Sequence, residues 1–149
     1  MKRYLINSIL IALSIVITAC YSDSTVEDIN PGTPLEYKWG TNPETIKQGL
    51  GYYELTADGN IMYVENYMIY CKIAYEFDNN GLCTISLVGP KSRMSDEYIQ
   101  SLKEGYTEIG DYDEGKAVYT NVAENRLMEI TTTIVEGIEY YAIGWASIE

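Results

Sequence analysis

The chain contains no histidine. That removes the commonest general base, the Ser-His and Cys-His nucleophile pairs, and the commonest transition-metal ligand. Basic residues are also scarce, 10 Lys and Arg against 22 Asp and Glu, for a formal net charge of −12. Phosphate binding needs clustered Lys and Arg, so a nucleic-acid partner is not expected. The same deficit disfavours electrostatic adsorption to anionic lipid. Three cysteines are too few for a disulfide scaffold in 149 residues, a length that buries an apolar core without one. Phenylalanine occurs once and tryptophan twice, whereas tyrosine occurs 15 times. Tyrosine suits half-buried strands, and it also suits binding surfaces, where ring and hydroxyl both contribute. No metal or cofactor is expected.

The most specific signal is at the N-terminus. Lys2 and Arg3 precede an apolar run over residues 5–16, interrupted only by Asn7, Ser8 and Ser14. Ile17-Thr18-Ala19-Cys20 closes it with small residues and a thiol. A basic start, a short apolar stretch and a small-residue cleavage site describe a secretory signal peptide, too short to span a bilayer comfortably. The Cys at the cut resembles the lipobox of bacterial lipoproteins. The resemblance implies acylation of the Cys20 thiol, cleavage before it and acylation of the new amino group. The expected organisation is a signal peptide over 1–19, lipidated Cys20 with a flexible tether over 20–34, and one domain over 35–149. Loss of Lys2 and Arg3 leaves eight basic against 22 acidic residues, a net charge of −14. Such a charge keeps a tethered domain soluble and favours cationic ligands or partners.

Residues 21–34 hold Ser22, Asp23, Ser24, Glu27, Asp28, Asn30, Pro31, Gly32 and Pro34, with Val26 and Ile29 as the only bulky aliphatics. That composition does not order itself. Two similar halves follow, over about 41–90 and 94–149. Thr41 or Asn42 caps a first helix, with Pro43 and Glu44 in its first turn, and Ile46 and Leu50 on its apolar face. Ser95-Asp96-Glu97 opens a second, with Ile99, Leu102 and Tyr106 inward. Strands are expected over 61–64, 67–77 and 82–88, then over 116–122, 126–135 and 138–146. Glu65-Asn66 recurs as Glu124-Asn125, and Gly81 recurs as Gly137. The fold class read from this is α+β: two helix-plus-three-strand repeats, with both helices on one face of an antiparallel sheet.

Period-2 patterning assigns the faces. Ile69, Cys71, Ile73, Tyr75 and Phe77 share one side with Cys83, Ile85 and Leu87. Met128, Ile130, Thr132 and Ile134 take the same side of the second half, with Glu139, Tyr141 and Ile143. A three-residue loop with Gly81 left-handed pairs Phe77 with Cys83, Tyr75 with Ile85 and Ile73 with Leu87. Cys71 then lies opposite Gly89, about 20 Å from Cys83, so both thiols are expected free. In the second half a Glu136-Gly137 turn pairs Thr132 with Tyr141, Ile130 with Ile143 and Met128 with Trp145.

The other face is left without helices. It carries Lys72, Leu82, Val88, Thr131 and Thr133 together with the candidate binding residues Tyr63, Met68, Tyr70, Leu127, Ile138 and Tyr140. An apolar-aromatic patch on an open sheet face suggests a partner surface. Three other features carry less. Asp111-Tyr112-Asp113-Glu114-Gly115 is a fragment of a calcium loop lacking the distal bidentate Glu, and reads as a solvated loop. Asp78-Asn79-Asn80-Gly81 reads as a turn. Trp39 is expected to pack near Ile46 at the helix start. Glu76 and Glu129 share the helix-free face and supply the alternative, an envelope hydrolase using paired carboxylates.

The two-unit layout is similar to the tandem-repeat topology of β-lactamase-inhibitor-like proteins. With Cys20, and with Trp39-Gly40 before the capped helix, the chain also looks like small uncharacterised envelope lipoproteins of Bacteroidota. The resemblance implies a lipid-anchored protein of the bacterial cell envelope, expected on the outer membrane, and transfers one functional residue, the lipidation site Cys20. The functional expectation is a non-enzymatic module that binds an unidentified protein or glycan through the helix-free face.

Overall fold

The computed structural model describes residues 37–50, 53–57, 59, 61–66, 71–113 and 116–148. The expected signal peptide and tether, with Cys20, lie outside the described residues, as do Met68, Ile69 and Tyr70.

Helix α1 spans Pro43–Gly49. Asn42 caps it, its Oδ1 accepting from the Glu44 N–H at 2.8 Å, while Pro43 occupies the first turn where no N–H is needed. Its single fully buried side chain is Ile46. The helix stops at Leu50, whose N–H donates to the Ile46 carbonyl. Helix α2 spans Asp96–Lys103, capped by the Ser95 hydroxyl accepting from the Tyr98 N–H at 3.1 Å. It buries Tyr98 and Ile99. Asp96 and Glu97 at its positive end and Lys103 in its last turn complement the helix dipole.

Eight strands follow the two helices in sets of four: β1 Glu54–Leu55, β2 Ile61–Asn66, β3 Cys71–Asp78 and β4 Gly81–Pro90 after α1, then β5 Thr107–Asp113, β6 Lys116–Asn121, β7 Arg126–Val135 and β8 Ile138–Ser147 after α2. They form one antiparallel sheet in the order β1-β2-β3-β4-β8-β7-β6-β5. Each helix thus precedes a four-stranded meander, one strand more than expected, and the two meanders meet along β4 and β8. The two strands missing from the sequence reading lie at the sheet edges. β1 has two exposed residues. β5 is interrupted by two register shifts and by Gly110, which erases the period-2 signal.

The core forms where the helices meet the sheet. Ile46, Tyr98 and Ile99 pack with Cys71, Tyr75, Phe77, Ile85, Leu87, Tyr119, Met128, Ile130, Ile143 and Trp145. This is the expected apolar face. The second hairpin has the expected register throughout, Thr132 to Tyr141, Ile130 to Ile143 and Met128 to Trp145. Its turn is made by Glu136 and Gly137, both at positive φ, the two-residue turn that matches strand twist.

The first hairpin differs at its tip. Tyr75 opposes Ile85 and Ile73 opposes Leu87 as expected, but Phe77 opposes Leu82 and Asp78 opposes Gly81. The turn is therefore Asn79-Asn80, tightened by the Asp78 carboxylate accepting from the Asn80 N–H at 2.7 Å. A register shift beyond Glu76 leaves Cys83 as the extra residue of a β-bulge, its Sγ 3.3 Å from the Glu76 carbonyl oxygen. The bulge inverts the alternation on one side only. Leu82, expected on the helix-free face, turns into the core and is 2% exposed.

Residues 37–41 hold the helix entry against this hairpin. The Gly40 N–H donates to the Leu82 carbonyl at 2.9 Å, and the Leu82 N–H donates to the Thr41 carbonyl at 3.0 Å. Trp39 packs against the core, and its indole Nε1 donates to the Asn125 carbonyl at 3.0 Å. This residue does more than the expected local packing beside Ile46: it ties the start of the first helical unit to the second meander.

The two described cysteines, Cys71 and Cys83, form no disulfide. Cys71 is fully buried, and a Cβ built on Gly89 would collide with its sulfur, which places the two where the register expects them. Burial pushes the Cys71 thiol up to about 12. Cys83, half-buried, rises to about 11, again chiefly through burial. Both groups hold their protons more tightly folded than unfolded. Their contribution is therefore intact below about pH 9, the unfolded value, and is lost as pH rises towards 11 and 12. One fully buried thiol costs about 1.4 kcal/mol per pH unit in that window, and the partly exposed Cys83 less. Urea denaturation should thus show a loss of about 2–3 kcal/mol between pH 8 and pH 10.5. The Cys71→Ala protein, less stable at pH 8, should show a distinctly shallower pH slope. Equal slopes in the two proteins would contradict this account.

Candidate functional site

Helices α1 and α2 and residues 37–41 all lie on one side of the sheet, so the opposite side is built by strand residues alone. Alternation and register arrange it in rows. Across β3, β4, β8, β7 and β6 one row reads Ala74, Ser86, Gly144, Glu129, Val118, and a neighbouring one reads Lys72, Val88, Ala142, Thr131, Lys116. A third carries Glu76, Thr84, Ala146, Leu127 and Thr120. The middle of the face is small, because β8 alternates large and small residues over Ala142-Ile143-Gly144-Trp145-Ala146. The large ones enter the core and the small ones line the helix-free side.

This side was expected to be open, and its centre is buried. Ala142 is 0% exposed, Val88 and Thr84 1%, and Ser86 3%. Lys72, Glu129 and Thr131 are buried with them. Glu129 faces Lys116 across β6 and β7, with the ammonium 3.5 Å from Oε1. That is ion-pair range without a directed hydrogen bond, and Oε1 is otherwise unpartnered. Five polar or charged side chains in one buried patch is unusual for a structural core, where such groups are excluded unless satisfied.

Of the residues proposed from sequence, Leu127, Ile138 and Tyr140 can be placed, and they lie around the buried centre. All three are half-buried. Tyr63 is in register with Ala74 on β2, while Met68 and Tyr70 fall outside the described residues. Leu127 opposes Ala146 and Tyr140 opposes Thr133, six residues apart along β8, which is about 20 Å. Leu127 and Tyr140 therefore do not belong to one patch. They border a centre of small and polar residues that sequence reasoning passed over. The signal for it was present in the small-large alternation of β8.

Glu76 and Glu129 are three strands apart, about 14 Å across the sheet. Glycoside hydrolysis needs two carboxyl groups within about 5–9.5 Å, so this pair does not meet the geometry. Asp111 and Asp113 lie in strand β5, paired with Ala117 and Lys116 rather than in a solvated loop, while Glu114 and Gly115 fall outside the described residues. Among the described residues no cluster of carboxylates and thiols is arranged to hold a metal ion. Among them also, no helix is long and apolar enough to cross a membrane.

Comparison with protein-family models, with characterised proteins and with solved structures finds no match to this chain.

Proposed function

We propose that the protein is a lipid-anchored module of the bacterial cell envelope, held on the outer membrane through Cys20, that binds a protein or glycan through the helix-free face. The observation that carries this reading is the one-sided packing. Both helices and the helix-entry segment cover the same side of the sheet, while the other side gathers Lys72, Thr84, Ser86, Glu129 and Thr131. A face that served packing alone would be apolar. This one carries polar and charged side chains on a rigid sheet, with half-buried Tyr140, Ile138 and Leu127 around it. Rigid aromatic side chains at such a rim contribute to binding at low entropic cost.

The tandem-repeat organisation belongs to the same proposal. The strand order reads the same from either end, with β4 and β8 as the central pair. Matching the last strands of the halves at an offset of 56 makes Leu87 equivalent to Ile143, and these two residues oppose each other. The hairpin registers then equate Ile73 with Ile130, two residues from the match expected on sequence alone, and Lys72 with Glu129. Two copies related by a local two-fold axis along the Leu87–Ile143 pair account for all of this. The axis brings charges of opposite sign to equivalent places on the proposed binding face.

The test is retention of envelope components on the immobilised mature protein. Tyr140→Ala should weaken the retained partner at least tenfold and leave the melting transition within a few degrees of wild type. Val122→Ala, at a 78% exposed site beyond the end of β6, should change neither. Equal retention by all three proteins would remove the helix-free face from the function.

A further inference from the structure

The tip of the first hairpin carries the only asparagine of the chain that is followed by glycine, Asn80 before Gly81. An asparagine side-chain amide reaches the backbone nitrogen of the next residue through a five-membered ring. A Cβ on that next residue obstructs ring closure, and glycine has none. Proline blocks it altogether by removing the N–H, which excludes Asn30 before Pro31 and Asn42 before Pro43. Asn121 stands before β-branched Val122, and Asn125 before Arg126. Their side-chain oxygens are also held, accepting from the Glu124 N–H at 3.2 Å and from the Ile148 N–H at 3.3 Å. Asn80, by contrast, is exposed, as are Asp78 and Asn79 beside it. Asp78 and Gly81 form the last pair of the β3–β4 ladder, so the tip opens locally while the pairs below it stay closed.

We infer that Asn80-Gly81 is a self-modification site, and that its isoaspartyl product releases the helix entry from the hairpin. The Gly81 nitrogen gives up its proton to solvent and bonds to Asn80 Cγ. The Cγ–Nδ2 bond breaks and ammonia leaves, closing a cyclic imide. Water then adds to one of the two imide carbonyls. Breaking the ring at Cγ yields aspartate with the main chain intact. Breaking it at the former Asn80 carbonyl carbon yields isoaspartate, in which the main chain runs through Cβ and Cγ. Water is the only co-reactant, and nothing is oxidised or reduced.

The two products differ where the hairpin meets residues 40 and 41. Aspartate carries its new charge on an exposed side chain. Isoaspartate inserts a methylene into the backbone before Gly81 and turns the Asn80 carbonyl into a free carboxylate. That carbonyl oxygen lies 3.4 Å from where a Cβ on Gly40 would stand. A Cβ on Gly81 would itself stand 2.5 Å from the Gly40 carbonyl oxygen and 2.9 Å from that of Thr41, so the contact leaves no room for a longer chain. The Asp78 carboxylate, 2.7 Å from the Asn80 N–H, repels the new charge as well. The bonds from the Gly40 N–H to the Leu82 carbonyl and from the Leu82 N–H to the Thr41 carbonyl are therefore the ones that yield. The hold of Trp39 on Asn125 weakens with them. Age and alkalinity, rather than a ligand, loosen this join.

The test is ageing of the mature protein in mildly alkaline buffer, folded and in urea, followed by peptide mapping that separates aspartate from isoaspartate. Asn80 should convert at least tenfold faster than Asn79, Asn121 or Asn125, in the folded protein as well as in urea. Conversion of Asn80 in urea alone would overturn the site, because the fold would then protect the tip. Hydrogen exchange of the purified isoaspartyl protein reads the consequence. The Gly40 and Leu82 amides should exchange at least tenfold faster than in fresh protein, while the Ile99 amide, bonded to the Ser95 carbonyl in α2, keeps its protection. Asn80→Asp carries the other product and should keep all three protected. Unchanged exchange at Gly40 and Leu82, an equal rise at Ile99, or the same rise in Asn80→Asp would overturn the local release.

Discussion

Cys20→Ser is expected to move the protein out of the membrane fraction, or to leave it as the uncleaved precursor. The physical basis is the strength of lipid anchoring. Each buried methylene contributes about 0.8 kcal/mol, so one acyl chain holds a protein only marginally and reversibly, whereas two or more hold it stably. In the proposed lipoprotein both the Cys20 thiol and the freed amino group would be acylated, so the hydroxyl of serine removes the route to these chains. The described residues offer no substitute. The net charge of −14 expected after the proposed cleavage repels anionic headgroups, and among the described residues no helix is long and apolar enough to cross a membrane. The measurement is fractionation with mass analysis of the N-terminus. A Cys20→Ser protein that is still cut at the same place and sediments with membranes as before would end the lipoprotein reading.

Much of the fold was legible because local signals agreed with one another. The caps at Asn42 and Ser95, the apolar faces of both helices and the register of the β7–β8 hairpin followed from residue type and spacing. The parts that failed have identifiable causes. The Cys83 bulge could not be read, because turn chemistry allowed both a two-residue and a three-residue loop, and the two differ by one residue of register. That residue decided whether Leu82 faced the core. The edge strands escaped because edges are short, bulged and polar, without a period to detect. The side of the sheet without helices is the one that alternation assigned, but its centre differs from the open aromatic surface that was expected. Attention to tyrosines missed the centre, where glycine and alanine on β8 make room and buried Lys72 and Glu129 supply charge. Small residues give weak sequence signals, since their effect lies in what they leave empty.

Gly81→Ala is the substitution expected to destabilise the domain most for its size. Two independent costs meet at this position. Gly81 has φ +103°, a conformation that side chains with a Cβ rarely adopt. An added Cβ would also stand 2.5 Å from the Gly40 carbonyl oxygen and 2.9 Å from that of Thr41. Both obstacles are backbone, and both belong to the segment that pairs with Leu82 and leads into α1, so neither can turn aside as a side chain would. Relief requires the hairpin to separate from the helix entry, which breaks the two hydrogen bonds between Leu82 and residues 40 and 41 and loosens Trp39 from Asn125. Strain at such a φ costs about 1–3 kcal/mol, and loss of the docked entry adds about 1–2 kcal/mol. A total of about 2–5 kcal/mol is a large part of the stability of a domain this size. Gly137→Ala provides the comparison. Its φ is +81°, but nothing lies within 4 Å of the added Cβ, so only the backbone strain is paid. Urea denaturation should therefore rank the proteins wild type, Gly137→Ala and Gly81→Ala, in falling order, with a gap of at least 1 kcal/mol between the two variants. Equal losses would mean that the hairpin tip and the helix entry are not packed together, and the account of how Trp39 joins the two halves would fall with it.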